Sequence, residues 1–132
     1  MQPGMGRIVV LDDDEVIVEL LRTLLVDAGH VPVAARGLAG LPADPGADLV
    51  LTDLIPVQGY RREVAKDWIV GLRRRFGGVP IVILTAHRAA LAEPDALGAD
   101  GIVVKPFDVE ALLAEIEKRL SAAGHRQPPV TS

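Results

Sequence analysis

Four short apolar runs in this chain end on polar residues that could form one reactive site. The first ends in Asp12-Asp13-Asp14, the run at residues 49–52 ends in Asp53, and two later runs end in Thr85 and Lys105. Each run is too short for a helix and is bounded by turn residues, so we expect four buried β-strands. Because parallel strands place their carboxyl ends along one edge of a sheet, these side chains are predicted to lie close together.

Carboxylates that converge repel one another, and a cation would relieve that repulsion. Oxygen ligands without a nearby histidine or cysteine favour Mg²⁺, which commonly binds one or two carboxylates, water and a phosphate group. Lys105 would offer an ammonium group, and Thr85 a hydroxyl group, to phosphoryl oxygens. Asp53 is the predicted nucleophile, because an aspartate can form an acyl phosphate and Asp12 and Asp13 are then left to hold the metal.

Each of these residues also has an ordinary structural interpretation. Asp13 and Asp14 can favour the positive end of a following helix, and Asp53 can be a turn residue. Thr85 can be a β-branched strand end, and Lys105 can be a solvated lysine before a loop proline. The combination favours chemistry, because all the polar clusters are predicted at the edge where such a sheet binds ligands.

Strand and helix patterns alternate along the chain. Strands are predicted near residues 7–11, 31–35, 49–53, 79–84 and 101–104. Long helices are predicted from about Glu15, from about Tyr60 to Phe76, and after Asp108. The predicted apolar stripe of the first helix consists of Val16, Leu20, Leu21, Leu24 and Leu25. Helices two and four should be short, because prolines interrupt both segments.

Five buried strands alternating with helices predict a three-layer α/β sandwich, since parallel strands must be covered on both faces. The crossovers should be right-handed. At this chain length the pattern suits a five-stranded parallel sheet in the flavodoxin-like order 2-1-3-4-5. Strands one and three would then flank the ligand-binding point, which brings the aspartates that follow them together.

Composition limits the function classes. The chain has 132 residues and a mass of 14.0 kDa, which suits one domain over residues 7–123. We expect residues 1–6 to be a disordered tail and residues 124–132 a disordered tail or truncated linker. No apolar run approaches the roughly 18 residues of a membrane helix, and no signal peptide is evident, so a cytoplasmic protein is expected.

Charge and cysteine content further limit the binding partners and metal sites that we expect. The net charge of −4 gives no general attraction to nucleic acid, and the absence of cysteine excludes disulfides and zinc–thiolate sites. The dense basic run Arg73-Arg74-Arg75 is interpreted as the solvated end of a helix, with a docking patch as the alternative.

The motifs resemble the receiver domain of two-component response regulators. The resemblance covers about residues 7–120 and is carried by Ile8-Val9-Val10-Leu11-Asp12-Asp13-Asp14, Leu51-Thr52-Asp53-Leu54, Val82-Ile83-Leu84-Thr85-Ala86 and residues 97–107. It implies a phosphorelay protein in which Asp53 accepts phosphate from a phosphohistidine. Thr85 and Lys105 would bind the phosphoryl group, and the Lys105–Pro106 peptide would be cis.

The resemblance also implies a cofactor and partners. Mg²⁺ would be held by Asp12, Asp13, Asp53 and the backbone carbonyl of Ile55. The phosphoryl donor would be a sensor histidine kinase or histidine phosphotransfer protein, and a downstream protein or effector domain would receive the signal. The domain itself would contact neither nucleic acid nor membrane, would be a monomer or weak homodimer, and would not be an enzyme beyond its own aspartyl phosphorylation and dephosphorylation.

Three departures from the family pattern leave a second hypothesis open. The loop after the phosphoacceptor is altered at residues 55–59, Ile102 replaces the usual aromatic switch residue, and helices two and four are shortened. The alternative is a receiver-like interaction module that signals independently of phosphorylation. An aspartate-nucleophile phosphatase is disfavoured, because that chemistry needs a general acid where Ile55 stands. If phosphorylation is the signal, we expect the loops at 55–59 and 85–93 to move.

Overall fold

The computed structural model describes residues 6–41, 46–54, 61–86 and 98–125. Within these ranges, strands and helices alternate as the sequence predicts. The strands are β1 Arg7–Leu11, β2 Val31–Ala35, β3 Leu49–Thr52, β4 Ile81–Thr85 and β5 Gly101–Val104. The helices are α1 Glu15–Asp27, α2 Arg62–Phe76 and α3 Val109–His125, and a single 3₁₀ turn spans Leu38–Gly40.

The five strands form one parallel sheet in the order β2-β1-β3-β4-β5, which confirms the predicted topology. Leu11 of β1 is paired with Thr52 of β3, so the residues that follow them, Asp12 and Asp53, leave the sheet side by side. The sheet register therefore brings together two carboxylates that are far apart in sequence.

Two hydrophobic clusters cover the two faces of the sheet and confirm the three-layer arrangement. Alternate strand residues face opposite sides, as the pleat requires. One cluster joins the sheet to α2 through Ala65, Ile69 and Leu72. The other joins it to α1 and α3 through Leu21, Leu25, Leu112 and Ile116.

The exposed face of α1 differs from the predicted stripe. Val18, Leu21 and Leu25 are buried, whereas Val16 is 75% exposed and Leu20 is 42% exposed. Val18, Leu21 and Leu25 are spaced three and four residues apart and form the apolar face that meets the sheet, whereas Val16 and Leu20 lie beside that face. Two apolar side chains consequently point to solvent in the first half of α1.

Two element boundaries also differ from prediction. Strand β4 begins at Ile81 rather than Val79, because the Val79 carbonyl accepts a hydrogen bond from the Arg73 guanidinium and the Ile81 N–H donates to Asp100. Helix α2 begins at Arg62, since the preceding residue is extended. Helix α3 runs to His125, and the domain bounds at residues 7 and 123 stay predictions.

The basic run at the end of α2 is not merely solvated. Arg73 donates to the Gly98 carbonyl and forms an ion pair with Asp100 at 2.8 Å. It thereby connects α2 to the segment that leads into β5, while Arg74 is exposed. The interpretation as a solvated helix end is therefore wrong for Arg73.

The predicted short second helix is confirmed, because the segment after β2 forms only the 3₁₀ turn Leu38–Gly40. The predicted fourth helix falls mostly on residues 87–97, outside the described residues. Among the described residues, none of the helices is long and apolar enough to cross a membrane.

Candidate functional site

Three carboxylates and one ammonium group meet at the carboxyl edge of the sheet, as predicted. Asp12, Asp13 and Asp53 each offer a carboxylate oxygen, and these oxygens lie within 4.8 Å of one another. Lys105 Nζ lies 2.7 Å from Asp12 Oδ2 and 3.4 Å from Asp53 Oδ2. The lysine therefore bridges two acidic residues that come from different strands.

Asp12 is the buried member of the cluster. Its side chain is 1% exposed, and both carboxylate oxygens have hydrogen-bond donors. Oδ1 accepts from the backbone N–H of Asp14, and Oδ2 accepts from Lys105 Nζ. Asp14 in turn caps α1, because its side chain accepts from the Val16 N–H at 3.0 Å. The helix-cap interpretation is thus confirmed for Asp14, which leaves Asp12 and Asp13 for the site.

Asp53 is held by its own backbone yet remains accessible. Its N–H donates to the Leu11 carbonyl at 2.7 Å, which continues the sheet pairing one residue beyond β3. Carboxylate Oδ1 accepts from the Leu54 N–H at 2.8 Å. The side chain is 17% exposed, compared with 1% for Asp12. Asp53 can therefore meet an incoming reactant, whereas Asp12 cannot.

The pKa values of Asp12 and Lys105 are both raised, for different reasons. Burial raises the pKa of Asp12 and repulsion from Asp53 adds to this, while hydrogen bonds from Lys105 and the Asp14 N–H only partly offset it. Burial by itself would lower the pKa of Lys105, but its hydrogen bond to Asp12 and the attraction of Asp53 outweigh that effect and raise the pKa. Burial therefore dominates the shift of Asp12, whereas the two neighbouring carboxylates account for the shift of Lys105.

The donor set fits Mg²⁺. All the candidate ligands are carboxylate oxygens, which hard divalent cations prefer, and their separation allows one ion to contact all three residues. The ammonium group of Lys105 already supplies positive charge next to Asp12 and Asp53. Asp12, Asp13 and Asp53 could therefore hold the metal. The Ile55 carbonyl lies outside the described residues and stays a prediction.

Comparisons with known proteins agree with this geometry. No protein-family model matches the chain. The DNA-binding response regulator MtrA of Mycolicibacterium paratuberculosis is 34% identical over 119 residues, which are 86% of this chain and 51% of MtrA. The structure of chemotaxis protein CheY4 of Vibrio cholerae is 26% identical, with a TM-score of 0.67, over 87% of this chain and 98% of CheY4.

The structure of a response regulator receiver domain protein from Clostridium thermocellum has a TM-score of 0.71 at 21% identity, which supports the fold. It covers 92% of this chain and 99% of its own. The chain is a response regulator receiver domain. It spans about half the length of the curated relatives that it matches.

Thr85 is the remaining predicted site residue among those that the structure describes in this receiver domain. Thr85 is the buried last residue of β4 and is paired with Val104, next to Lys105. Its carbonyl accepts from the Lys105 N–H at 2.8 Å. The Lys105–Pro106 peptide is cis, as the resemblance implied. Ile102, at the aromatic switch position, packs against the cluster beneath α2.

Trp68 on α2 contacts the end of β3 next to Asp53, and none of the sequence motifs includes it. The indole Nε1 of Trp68 lies 3.0 Å from Thr52 Oγ1 and 3.1 Å from the Asp53 carbonyl oxygen. Thr52 Oγ1 also donates to that carbonyl at 2.6 Å. A signal was available, because Trp68 shares a helix face with Val64 and Leu72, and a half-buried indole N–H needs an acceptor.

Proposed function

We propose that this domain takes a phosphoryl group from a phosphohistidine onto Asp53, with Mg²⁺ as cofactor. The observation that carries the proposal is the ammonium group of Lys105 between Asp12 and Asp53, within a cluster of three carboxylates. Such a cluster is costly unless it serves to bind a cation and an anion together. A phosphoryl group beside Mg²⁺ meets both requirements.

In the transfer, a carboxylate oxygen of Asp53 attacks phosphorus, an O–P bond forms and the P–N bond to the donor imidazole breaks. The departing ring nitrogen keeps the bonding electron pair, and the imidazole leaves as a neutral group because its other ring nitrogen carries a proton. Lys105 has the charge and reach to hold a phosphoryl oxygen after Asp53 is modified, and Thr85 is placed to donate from the neighbouring strand. Mg²⁺ at the acidic residues would supply charge neutralisation for the phosphoryl oxygens.

The partner classes follow from this chemistry. The donor is a sensor histidine kinase or a histidine phosphotransfer protein, and the signal passes to a downstream protein or effector domain. We place the domain in the cytoplasm, where the ATP that supplies a kinase is found. The domain is a signalling component whose only catalysis is its own phosphorylation and dephosphorylation, and we expect a monomer or weak homodimer.

The test of this proposal is phosphoryl uptake by the unaltered chain. Incubation with acetyl phosphate and Mg²⁺ should add one phosphoryl group per molecule, as measured by intact mass. Chelation of the metal with EDTA should prevent the gain, because the uncompensated carboxylates would repel the donor. No mass gain with Mg²⁺ present, in a folded sample, would instead favour the receiver-like interaction module.

The exposed apolar start of α1 is proposed to receive the donor protein. Val16 and Leu20 lie on the helix that begins directly after the acidic residues, and both are exposed. Burying a valine stabilises a complex by about 1.5 kcal/mol, which corresponds to a roughly tenfold change in kcat/KM. Val16→Gln should therefore lower kcat/KM for transfer from an autophosphorylated histidine kinase about tenfold, while uptake from acetyl phosphate stays within about twofold.

Val26 provides the matched control for this prediction. It is 56% exposed on the same helix, in the last turn and away from the acidic residues. Val26→Gln should leave both reactions within about twofold of the parent, because that end of α1 is remote from the phosphoacceptor. An equal loss of kcat/KM in Val16→Gln and Val26→Gln would show that the donor protein does not bind at the start of α1.

A further inference from the structure

Helix α2 contacts the end of β3 through the indole N–H of Trp68. It donates to Thr52 Oγ1 at 3.0 Å and to the Asp53 carbonyl at 3.1 Å. Thr52 is fully buried, and its hydroxyl donates to the same carbonyl. The Asp53 carbonyl oxygen therefore accepts two hydrogen bonds, one from its own strand and one from α2.

That carbonyl belongs to the peptide unit that orients the phosphoacceptor. The other end of this unit is the Leu54 N–H, which donates to Asp53 Oδ1 at 2.8 Å. A peptide unit is planar, so holding its carbonyl also fixes the direction of its N–H. The N–H in turn holds one carboxylate oxygen and leaves Oδ2 directed toward Lys105.

We propose that Trp68 is a positioning residue for phosphorylation of Asp53. Its indole N–H fixes the Asp53–Leu54 peptide, and this peptide orients the carboxylate for attack. The proposal rests on the proposed function of Asp53 as phosphoacceptor. A tryptophan that only filled the core would contribute to stability without affecting the orientation of the carboxylate.

The test removes the N–H and keeps the aromatic side chain. Trp68 is the one tryptophan in the sequence, so an analogue supplied during expression replaces this residue alone. Benzothienylalanine has a sulfur atom in place of the indole N–H and nearly the same shape, and Trp68→Phe gives a second, genetically encoded variant. Phe76→Leu is the matched control, because Phe76 packs in the same cluster at the far end of α2.

Two measurements decide the outcome. In the unphosphorylated protein, amide hydrogen exchange at Leu54 should be about tenfold faster in the analogue than in the parent. At saturating Mg²⁺, the rate of uptake from acetyl phosphate should fall about tenfold, while the Mg²⁺ concentration for half-maximal rate stays within about twofold. Phe76→Leu should lower the melting temperature and leave both measurements within about twofold of the parent.

Failure of this inference is distinguishable from failure of the proposed function. An uptake rate in the analogue equal to that of the parent would overturn the positioning role, even if Asp53 is phosphorylated. If the parent takes up no phosphoryl group, the proposed function fails. In that case amide exchange at Leu54 still tests the inference, and an exchange rate in the analogue equal to that of the parent would show that Trp68 does not fix the Asp53–Leu54 peptide. A loss of rate in Phe76→Leu equal to that in the analogue would show that α2 packing alone is responsible.

Discussion

Asp53→Asn is expected to abolish phosphoryl uptake from acetyl phosphate, with a loss of more than about 100-fold. The amide group of asparagine has a similar shape but is a poor nucleophile and carries no charge. Intact mass after incubation with Mg²⁺ should show one added phosphoryl group in the parent and none in the variant. The fold should persist, because the backbone hydrogen bond from Asp53 to Leu11 does not involve the side chain.

The structure gives reasons for choosing Asp53 from the three carboxylates. Asp12 is 1% exposed with both oxygens engaged, so it cannot approach a donor. Asp13 is exposed and follows β1, where the metal is expected. Asp53 is partly exposed, and its Oδ2 lies 3.4 Å from the lysine that would hold the phosphoryl group.

Asp14→Asn is the control for the loss of an acidic residue near the site. Asparagine caps a helix about as well as aspartate, so α1 should be preserved. Uptake in this variant should stay within about twofold of the parent. Uptake by Asp53→Asn at the parental rate would show that another carboxylate is the acceptor.

Asp13→Ala is expected to remove the response of the domain to Mg²⁺. The variant loses one of the three carboxylates that could hold the ion, so its affinity for Mg²⁺ should fall about 100-fold or more. In the parent, Mg²⁺ should raise the melting temperature, because a ligand that binds only the folded state stabilises it. In Asp13→Ala the same Mg²⁺ concentration should produce almost no rise.

The metal-free proteins provide a second comparison. Without Mg²⁺, Asp13 lies beside two other carboxylates that repel it, so its removal should leave the melting temperature unchanged or higher. Glu15→Gln, another acidic change near the start of α1, should retain the Mg²⁺ response of the parent. A normal Mg²⁺ response in Asp13→Ala would place the metal away from the acidic pair.

Much of the fold follows from local signals in the sequence. Buried strands and amphipathic helices alternate, and this alternation predicts a parallel sheet and its strand order. Asp12, Asp53, Thr85 and Lys105 were found because each lies at or next to the end of a strand, and all strands of such a sheet end at the same edge. The cap at Asp14 is a similarly local feature, since the capping side chain reaches only two residues ahead.

Contacts between distant segments were decided only by the tertiary structure. The hydrogen bond from Lys105 to Asp12 joins residues 93 positions apart, and the bond from Trp68 to Thr52 depends on how α2 lies across the sheet. The buried face of α1 belongs to the same class, because apolar residues also flank that face and contact with the sheet decides which of them are covered. The strand patterns predict which residues lie at the edge of the sheet, whereas the packing of the helices sets which of their side chains are in contact, since such a contact requires both backbones to be in place.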